Sequence, residues 1–571
     1  MSSTVNSWSV PRRFVAGTGA VLAAVVAVQP AAALLRLAAP AAPLAALPIT
    51  LGAALAAALG SAWLARRAAP WLAGCAGLAA AGAVARLEPG AGLPALAVPL
   101  VAAIVVLGAR RLGAMLPASV DTVVARRPVV AAVWAIVALL SATQVARLAA
   151  HLTDRDLSFV LATTHPFWHR HECLPAYLHG AELALRGEPN LYDAAHWPGL
   201  DPSAAPETAL TGMTVEDPFQ YPPQFLLAPA AALALTDDVG LIRVAWFATQ
   251  IFLFVAAFVA LARWVGGPAG RLALWLLPGV LTALPVLYNL QYGQAHLATI
   301  ALAVLALLAF DARRFARGGL LLAAAILTKM FPAVLLVGLA VRRRWRALAW
   351  TAAWGAVLTA VTVAAFGTAP FTAFVGDHLP RLGSGAAFAF DEAWPELAPL
   401  VVADNHGVFG LARKLGVGKP AAATISTSFA FLLAAAAAWV ALRLASASRW
   451  QRAGTWLALL GLGSMSSAGA WADYVPVTAV WLLAMVAAAA RGWRLAAPLA
   501  VAAFLQVTLA GTVPIGEWFD PALMTPVAAL GQVTMAGLFV GTIVAATRAR
   551  RDVAGVRAEV EIPPDAGRRA A

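Results

Sequence analysis

Between Arg313 and Arg346 the chain reads RRFARGGLLLAAAILTKMFPAVLLVGLAVRRRWR. The middle of this stretch, Gly318 to Val341, is apolar over about 24 residues, enough for a helix to cross roughly 30 Å of hydrocarbon. Arginines crowd both ends, however, and basic residues in short loops mark the cytoplasmic side of a membrane. Both ends therefore belong on one side. The break Thr328-Lys329-Met330-Phe331-Pro332 falls at the midpoint, and a proline disfavours helix in the residue before it. The stretch predicts two half-helices forming a broken hairpin that turns inside the protein, with Lys329 at the turn.

The same reasoning extends along the chain. Of its 571 residues 61% are hydrophobic and 12% charged, with a mean hydropathy of +0.79. A soluble domain is about half apolar and about a quarter charged, so a soluble globular fold is excluded. Apolar runs of about 20 residues recur from Phe14 to Thr547. Arg12 and Arg13 precede the first span, Arg66 and Arg67 follow the second, and Arg110 to Arg127 follow the fourth. Arg263 to Arg271, Arg313 to Arg317, Arg342 to Arg346, Arg443 to Arg452, Arg491 to Arg494 and the tail from Arg548 mark later returns to the cytoplasm. Pro222 to Thr236 is too short to span and is bounded by external segments, so it reads as an interfacial or re-entrant helix opened by Pro222-Pro223. The expectation is an all-α polytopic membrane protein with about 14 transmembrane crossings and both termini cytoplasmic. Its first apolar run leads straight into more spans, which reads as a retained helix, not a signal peptide.

A net charge of +13 and a pI near 10.8 would suit nucleic acid, but these arginines orient loops, and no nucleic-acid partner is expected. Two cysteines, Cys75 and Cys173, make no disulfide framework. All but Asp121, Asp311, Asp552, Glu559, Glu561 and Asp565 of the 27 acids fall outside, as do all nine histidines or else they lie at the outer rim. No acid lies mid-span, which argues against a proton-coupled pump. The chemistry faces outward. Lys329 is one of only three lysines, with Lys414 and Lys419, and it is either internally paired or a cation reaching an anionic headgroup.

The first outer loop, about 151–221, holds His165, His169, His171 and Glu172 immediately before a segment that reads as a helix, with Pro175 in its first turn and Gly187 as its stop. Glu172 then serves as a helix-end carboxylate or as a general base, and His171 is a second candidate base. The histidines and Glu172 are ordinary metal ligands, but their spacing matches no specific motif, so no metal site is assigned and a divalent ion is left open. Asp154 and Asp156 are competing acids.

Three further motifs follow: Tyr177-x-x-Gly180-Ala181, then Leu191-Tyr192-Asp193, then Phe219-x-Tyr221-Pro222-Pro223 before an apolar helix. With Asn289-Leu290-Gln291-Tyr292-Gly293-Gln294, the Lys329 hairpin and Asp404-Asn405-His406-Gly407, they resemble glycosyltransferase family 87. This family consists of integral membrane enzymes of the GT-C superfamily, including mycobacterial mannosyltransferases that use polyprenyl-phosphate mannose. The resemblance covers roughly Val129 to Thr547. It implies a lipid-linked sugar phosphate donor, a glycolipid or glycan acceptor, inversion at the anomeric carbon, and a plasma (inner) membrane of bacterial type with the active site extracytoplasmic. The family's general base is an Asp four residues before the motif tyrosine. That position is Cys173 here, and the acid is displaced by one to Glu172. Residues 1–127 form an additional four-span module ahead of a catalytic domain over 128–547, and 548–571 read as a cytoplasmic tail too polar to fold.

A polyprenyl-phosphate sugar needs cations at its phosphate and polar groups at its sugar. Lys329, Arg243, His378 and Arg381 are candidate phosphate donors. Asp193, Gln294 and Asn405 are candidate sugar-hydroxyl partners, with Tyr177, Tyr221 and His406 of the shared motifs beside them, although caps and turns use similar residues. Trp168, Trp197 and Trp394 could stack on sugar rings. The outer loop 367–420, with Asp391, Glu392 and Glu396, could close over an acceptor. The alternatives are a transporter or flippase of lipid-linked sugars, and a non-catalytic family member.

Overall fold

A computed structural model describes residues 173–197, 218–281, 283–388, 390–393, 398–444, 447–471, 474–489 and 524–548, and every regular element among them is helical. The module 1–127, the fifth span, the segment His165 to Glu172 and the tail after Arg548 lie outside the described residues. In chain order the main helices are α1 (Cys173–Leu185), α2 (Leu227–Leu235), α3 (Val239–Val265), α4 (Gly267–Leu281), α5 (Leu284–Gln291), α6 (His296–Asp311), α7 (Phe315–Thr328) and α8 (Val334–Val341). They continue with α9 (Trp345–Phe366), α10 (Ala398–Asp404), α11 (Val408–Lys414), α12 (Lys419–Arg443), α13 (Arg449–Met465), α14 (Val475–Ala489) and α15 (Met524–Arg548). Four are long and apolar enough to cross a membrane: Val239–Val265, Trp345–Phe366, Lys419–Arg443 and Thr525–Thr547. A bent pair, Pro285–Gln291 and His296–Asp311, meets at 111° and makes a fifth candidate. This is a multi-pass membrane protein. The described chain divides into two compact units.

The first unit contains α1, α2 and α5 with the adjoining parts of α3, α4 and α6. Helix α1 starts and stops where its sequence signals place it. Pro175 lies in its first turn, and Gly187, at φ +79°, closes its end as the Gly187 and Glu188 N–H groups donate to Ala184 O (3.1 Å) and Leu183 O (3.0 Å). The segment opened by Pro222-Pro223 is a 3₁₀ turn, Pro223–Leu226, running into α2, and Pro223–Leu235 as a whole is apolar but too short to span. Asp238 then caps α3, its Oδ1 accepting from Leu241 N–H at 3.0 Å. The corner between α5 and α6 is built by buried Asn289. Its carbonyl accepts Gln294 N–H (2.9 Å) and its Oδ1 accepts Leu297 N–H (3.3 Å), while Gly293 at φ +67° makes the reversal.

The second unit holds the broken segment. Helix α7 ends at Thr328, Lys329 is extended (φ −143°, ψ 129°), and a 3₁₀ turn, Phe331–Ala333, leads into α8. Its two halves have different neighbours: α7 lies along α9, and α8 packs on α12 and α13. The arginine-rich loops at its two ends meet again. Arg313, Arg342 and Arg344 line one cavity with Asp311 and Arg452. Asp311 accepts from Arg452 (2.8 Å) and from Trp264 Nε1 (2.9 Å), and Arg449 donates to Trp264 O (3.1 Å). Loops that the sequence assigns to one face of the membrane thus converge at one end of this unit. Helices α13 and α15 approach closely because α13 presents glycines: a Cβ on Gly454 would lie 3.0 Å from Thr542 Cγ2, and one on Gly461 would enter the Phe539 ring. Small residues at helix contacts are the usual device where lipid removes the hydrophobic drive between helices.

Candidate active site

In the first unit the sequence motifs pack on one another. Gly180 of Tyr-x-x-Gly-Ala faces Phe219, whose ring would lie 2.9 Å from any Cβ there, and Tyr192 of Leu-Tyr-Asp sits 5.9 Å from that ring. Gln294 is the hub. It is fully buried, accepts from Tyr177 OH at 2.9 Å, donates to Cys173 Sγ at 3.0 Å, and its carbonyl takes Gln250 Nε2 at 2.6 Å. Tyr292 O accepts both the Cys173 N–H (2.8 Å) and the Leu174 N–H (3.1 Å). The start of α1, one residue after Glu172, is therefore pinned by backbone and side chain together. Arg243 is buried nearby, lining a cavity of about 10 Å³ with Leu174, Trp246 and Tyr292, room for about one water.

In the second unit Lys329 lies between two tyrosines. Its Nζ is 3.6 Å from the centre of the Tyr474 ring and 5.5 Å from that of Tyr221, and Phe225 packs on Tyr221 at 5.0 Å. The residue before Tyr221 is tied to the loop 367–420, since Gln220 Nε2 donates to Ala387 O at 2.9 Å. A second cluster surrounds Asn405. Its Oδ1 accepts Gly407 N–H (2.9 Å), its Nδ2 donates to Ala468 O (2.7 Å), and its backbone bridges Trp471. Phe388 and Phe390 meet the Trp471 ring edge-on at 6.2 and 5.6 Å. Beneath it Lys414 Nζ donates to Asn405 O (2.6 Å) and to Gln532 Oε1 (2.9 Å).

Burial sets the charge states in the loop 367–420. It holds His378 at about 4, with Arg381 adding repulsion, so the imidazole is neutral at pH 7. Burial and nearby Lys414 hold His406 at about 3, and its Nδ1 lies 2.9 Å from Asp404 O. Lys414 itself is pushed down to about 7 by burial.

The sequence candidates therefore sort by contact. Tyr221 meets Lys329, and Tyr177 meets Gln294. Arg381 is part-exposed beside Asp377 at 3.8 Å. Asp193 caps a 3₁₀ turn, accepting from Ala195 N–H at 2.9 Å, and Asn405 serves a turn in the same way. Trp197 is no sugar platform: it is buried, donates to Leu191 O at 2.8 Å and meets His179 edge-on. Glu172, His171, Trp168 and Trp394 lie outside the described residues. Among the described residues no group of three or more His, Cys, Asp or Glu could hold a metal ion. Sequence reasoning missed Tyr474, Trp471, Lys414 and Gln532. Lys414 left a trace as one of three lysines, and Tyr474 as one of six tyrosines, just after a polar break between apolar runs.

Residues 219–467, from Phe219 through the Lys329 break and the Asn405 turn, match the sequence model of glycosyltransferase family 87. Over these residues the sequence is identified with glycosyltransferase family 87. No curated protein and no solved structure is significantly similar to it. The family 87 match indicates a membrane glycosyltransferase. The matched segment contains Tyr221, Lys329, Asn405 and His406, whereas α1 and the Leu-Tyr-Asp turn precede it.

Proposed function

We propose that this family 87 enzyme moves a sugar, mannose or a relative, from a polyprenyl-phosphate donor to a glycolipid or glycan acceptor on the extracytoplasmic face of a bacterial-type plasma membrane. The observation that carries the reading is Lys329, a cation set between Tyr221 and Tyr474 at the break of an apolar segment. A lipid phosphate brings its charge to such a depth while its chain stays in the bilayer. The convergence of arginine-rich loops at the far ends of the same segment supports reading it as a hairpin whose tip faces outward.

In the reaction an acceptor hydroxyl oxygen attacks the anomeric carbon. The carbon–oxygen bond to phosphate breaks with its electron pair leaving on the phosphate, the hydroxyl proton passes to the Glu172 carboxylate, and one displacement inverts the centre. Lys329 stabilises the charge that grows on the leaving phosphate, with Arg243 and Arg381 as further cations. Tyr177 and Gln294 act by positioning: both are buried, and they hold the start of α1. Tyr221, Asp193, Asn405 and His406 are assigned to sugar and acceptor recognition, His406 as a neutral imidazole.

The test is transfer of labelled sugar from a panel of polyprenyl-phosphate sugars by reconstituted protein, with Glu172→Gln alongside. A covalent product lost in the variant supports the reading. Sugar flux across the vesicle without product would replace it with a flippase, and full activity in Glu172→Gln would remove Glu172 from the chemistry.

A further inference from the structure

The cavity at the arginine-rich end of the second unit has a volume of about 280 Å³ and two kinds of wall. One end is charged: Asp311, Arg313, Arg342, Arg344 and Arg452. These side chains sum to four positive charges and one negative, and the single carboxylate is already engaged by Arg452 at 2.8 Å and Trp264 at 2.9 Å. The rest is apolar, walled by residues such as Leu335 and Leu339 of α8, Val440 of α12 and Leu459 of α13. A net charge of about +3 beside an apolar slot favours an anion there.

The backbone reinforces this. Arg313 and Arg343, at φ +58° and +55°, are the two non-glycine residues with positive φ among those described. Each ends a helix in the same way, the N–H groups of Arg313 and Arg314 donating to Phe310 O and Ala309 O, and those of Arg343 and Arg344 to Ala340 O and Leu339 O. Glycine is the easy choice at that position, and an arginine there costs roughly 1 kcal/mol or more. Orientation in the membrane requires basic residues somewhere in a short loop. It does not require two loops to adopt the same strained turn and place their arginines on one cavity.

We propose that this cavity binds the phosphate headgroup of an anionic membrane phospholipid, with part of an acyl chain in the slot between α8, α12 and α13. Guanidinium forks match phosphate oxygens, and basic pockets between membrane helices are suited to such headgroups. The cavity lies at the opposite end of the hairpin from Lys329, so this is a lipid site separate from the donor site proposed above. A lipid is favoured over free phosphate because most of the lining is hydrocarbon.

The experiment is native mass spectrometry of the purified full chain titrated with phosphatidylglycerol, phosphatidylcholine or inorganic phosphate, repeated on Arg342→Gln/Arg344→Gln and on Leu339→Trp. The expected result is retention of phosphatidylglycerol over phosphatidylcholine, weakened about tenfold or more by the double arginine variant and also by filling the slot. Equal affinity for the two lipids in the wild type would overturn the site, and that comparison stands even if a variant fails to fold. Unchanged phosphatidylglycerol affinity in a folded Arg342→Gln/Arg344→Gln protein would also overturn it. Competition by inorganic phosphate at equal affinity, with Leu339→Trp without effect, would replace the lipid with a small anion.

Discussion

Replacing Lys329 by methionine keeps an unbranched apolar stem of similar length and removes the charge. Two interactions change. The cation–π contact, at 3.6 Å from the Tyr474 ring centre, is worth about 0.5–2 kcal/mol to the fold. The methionine stem remains between the two rings, so the net loss of stability is expected below about 2 kcal/mol. The stronger effect falls on the donor. A charge-assisted hydrogen bond to a phosphate oxygen contributes about 1.5–3 kcal/mol, or roughly ten- to hundredfold in affinity. Lys329→Met should raise the donor KM by that factor, and lower kcat as well if the contact strengthens as the phosphate leaves. Acceptor KM should not move. Lys329→Arg keeps a charge but not a compact one between the rings, and should fall between the two. The assay is initial-rate transfer in proteoliposomes at varied donor, with melting temperature recorded on the same samples. A folded Lys329→Met enzyme with wild-type donor KM and kcat would refute the assignment of Lys329 to the phosphate.

Two other perturbations bear on positioning and on charge. Gly293→Ala places a side chain at φ +67° with its Cβ 2.7 Å from Leu174 Cβ, so we expect a loss of roughly 2–5 kcal/mol and a fall in kcat with donor KM nearly unchanged, read by melting and rate on one preparation. Lys414 titrates at about 7 when folded and at its ordinary 10.5 when unfolded. The unfolded chain thus holds the extra proton between those values, and stability rises with pH by up to about 1.4 kcal/mol per pH unit from 7 to 10.5, flattening below 7. Lys414→Met should abolish that slope in pH-dependent chemical denaturation.

Much of this was legible because it depends on local chemistry. Pro175 and Gly187 bracket α1, Pro332 sets the break after Lys329, and the arginines sort the loops. What was illegible depends on which helix meets which. Helices such as α9 and α12 are apolar on nearly every face, so periodicity does not say where a neighbour lies. Lys329 meeting Tyr474, or Lys414 meeting Gln532, joins residues far apart in the chain. The 111° corner after α5 carried only Gly293 as a signal. His378 looked like a cation at a membrane boundary, and burial, a tertiary property, makes it neutral.

The displacement of the family acid can be judged from its surroundings in the same way. Cys173 is 3% exposed, its N–H is used by Tyr292 O, and its sulfur faces the Gln294 amide at 3.0 Å. A carboxylate built there would replace a buried thiol that packs against the Gln294 amide. Burial disfavours the charged form of a carboxylate and so weakens it as a base. Cys173→Asp is therefore expected to destabilise the first unit and to leave transfer unimproved, and Cys173→Asp/Glu172→Gln should remain inactive. The fit around Cys173 is that of a packed thiol, while the residue before it carries the carboxylate. Restored transfer in the double variant would place the base at 173 after all and reduce Glu172 to a helix-end charge. A pH–rate profile distinguishes that outcome from simple loss of fold.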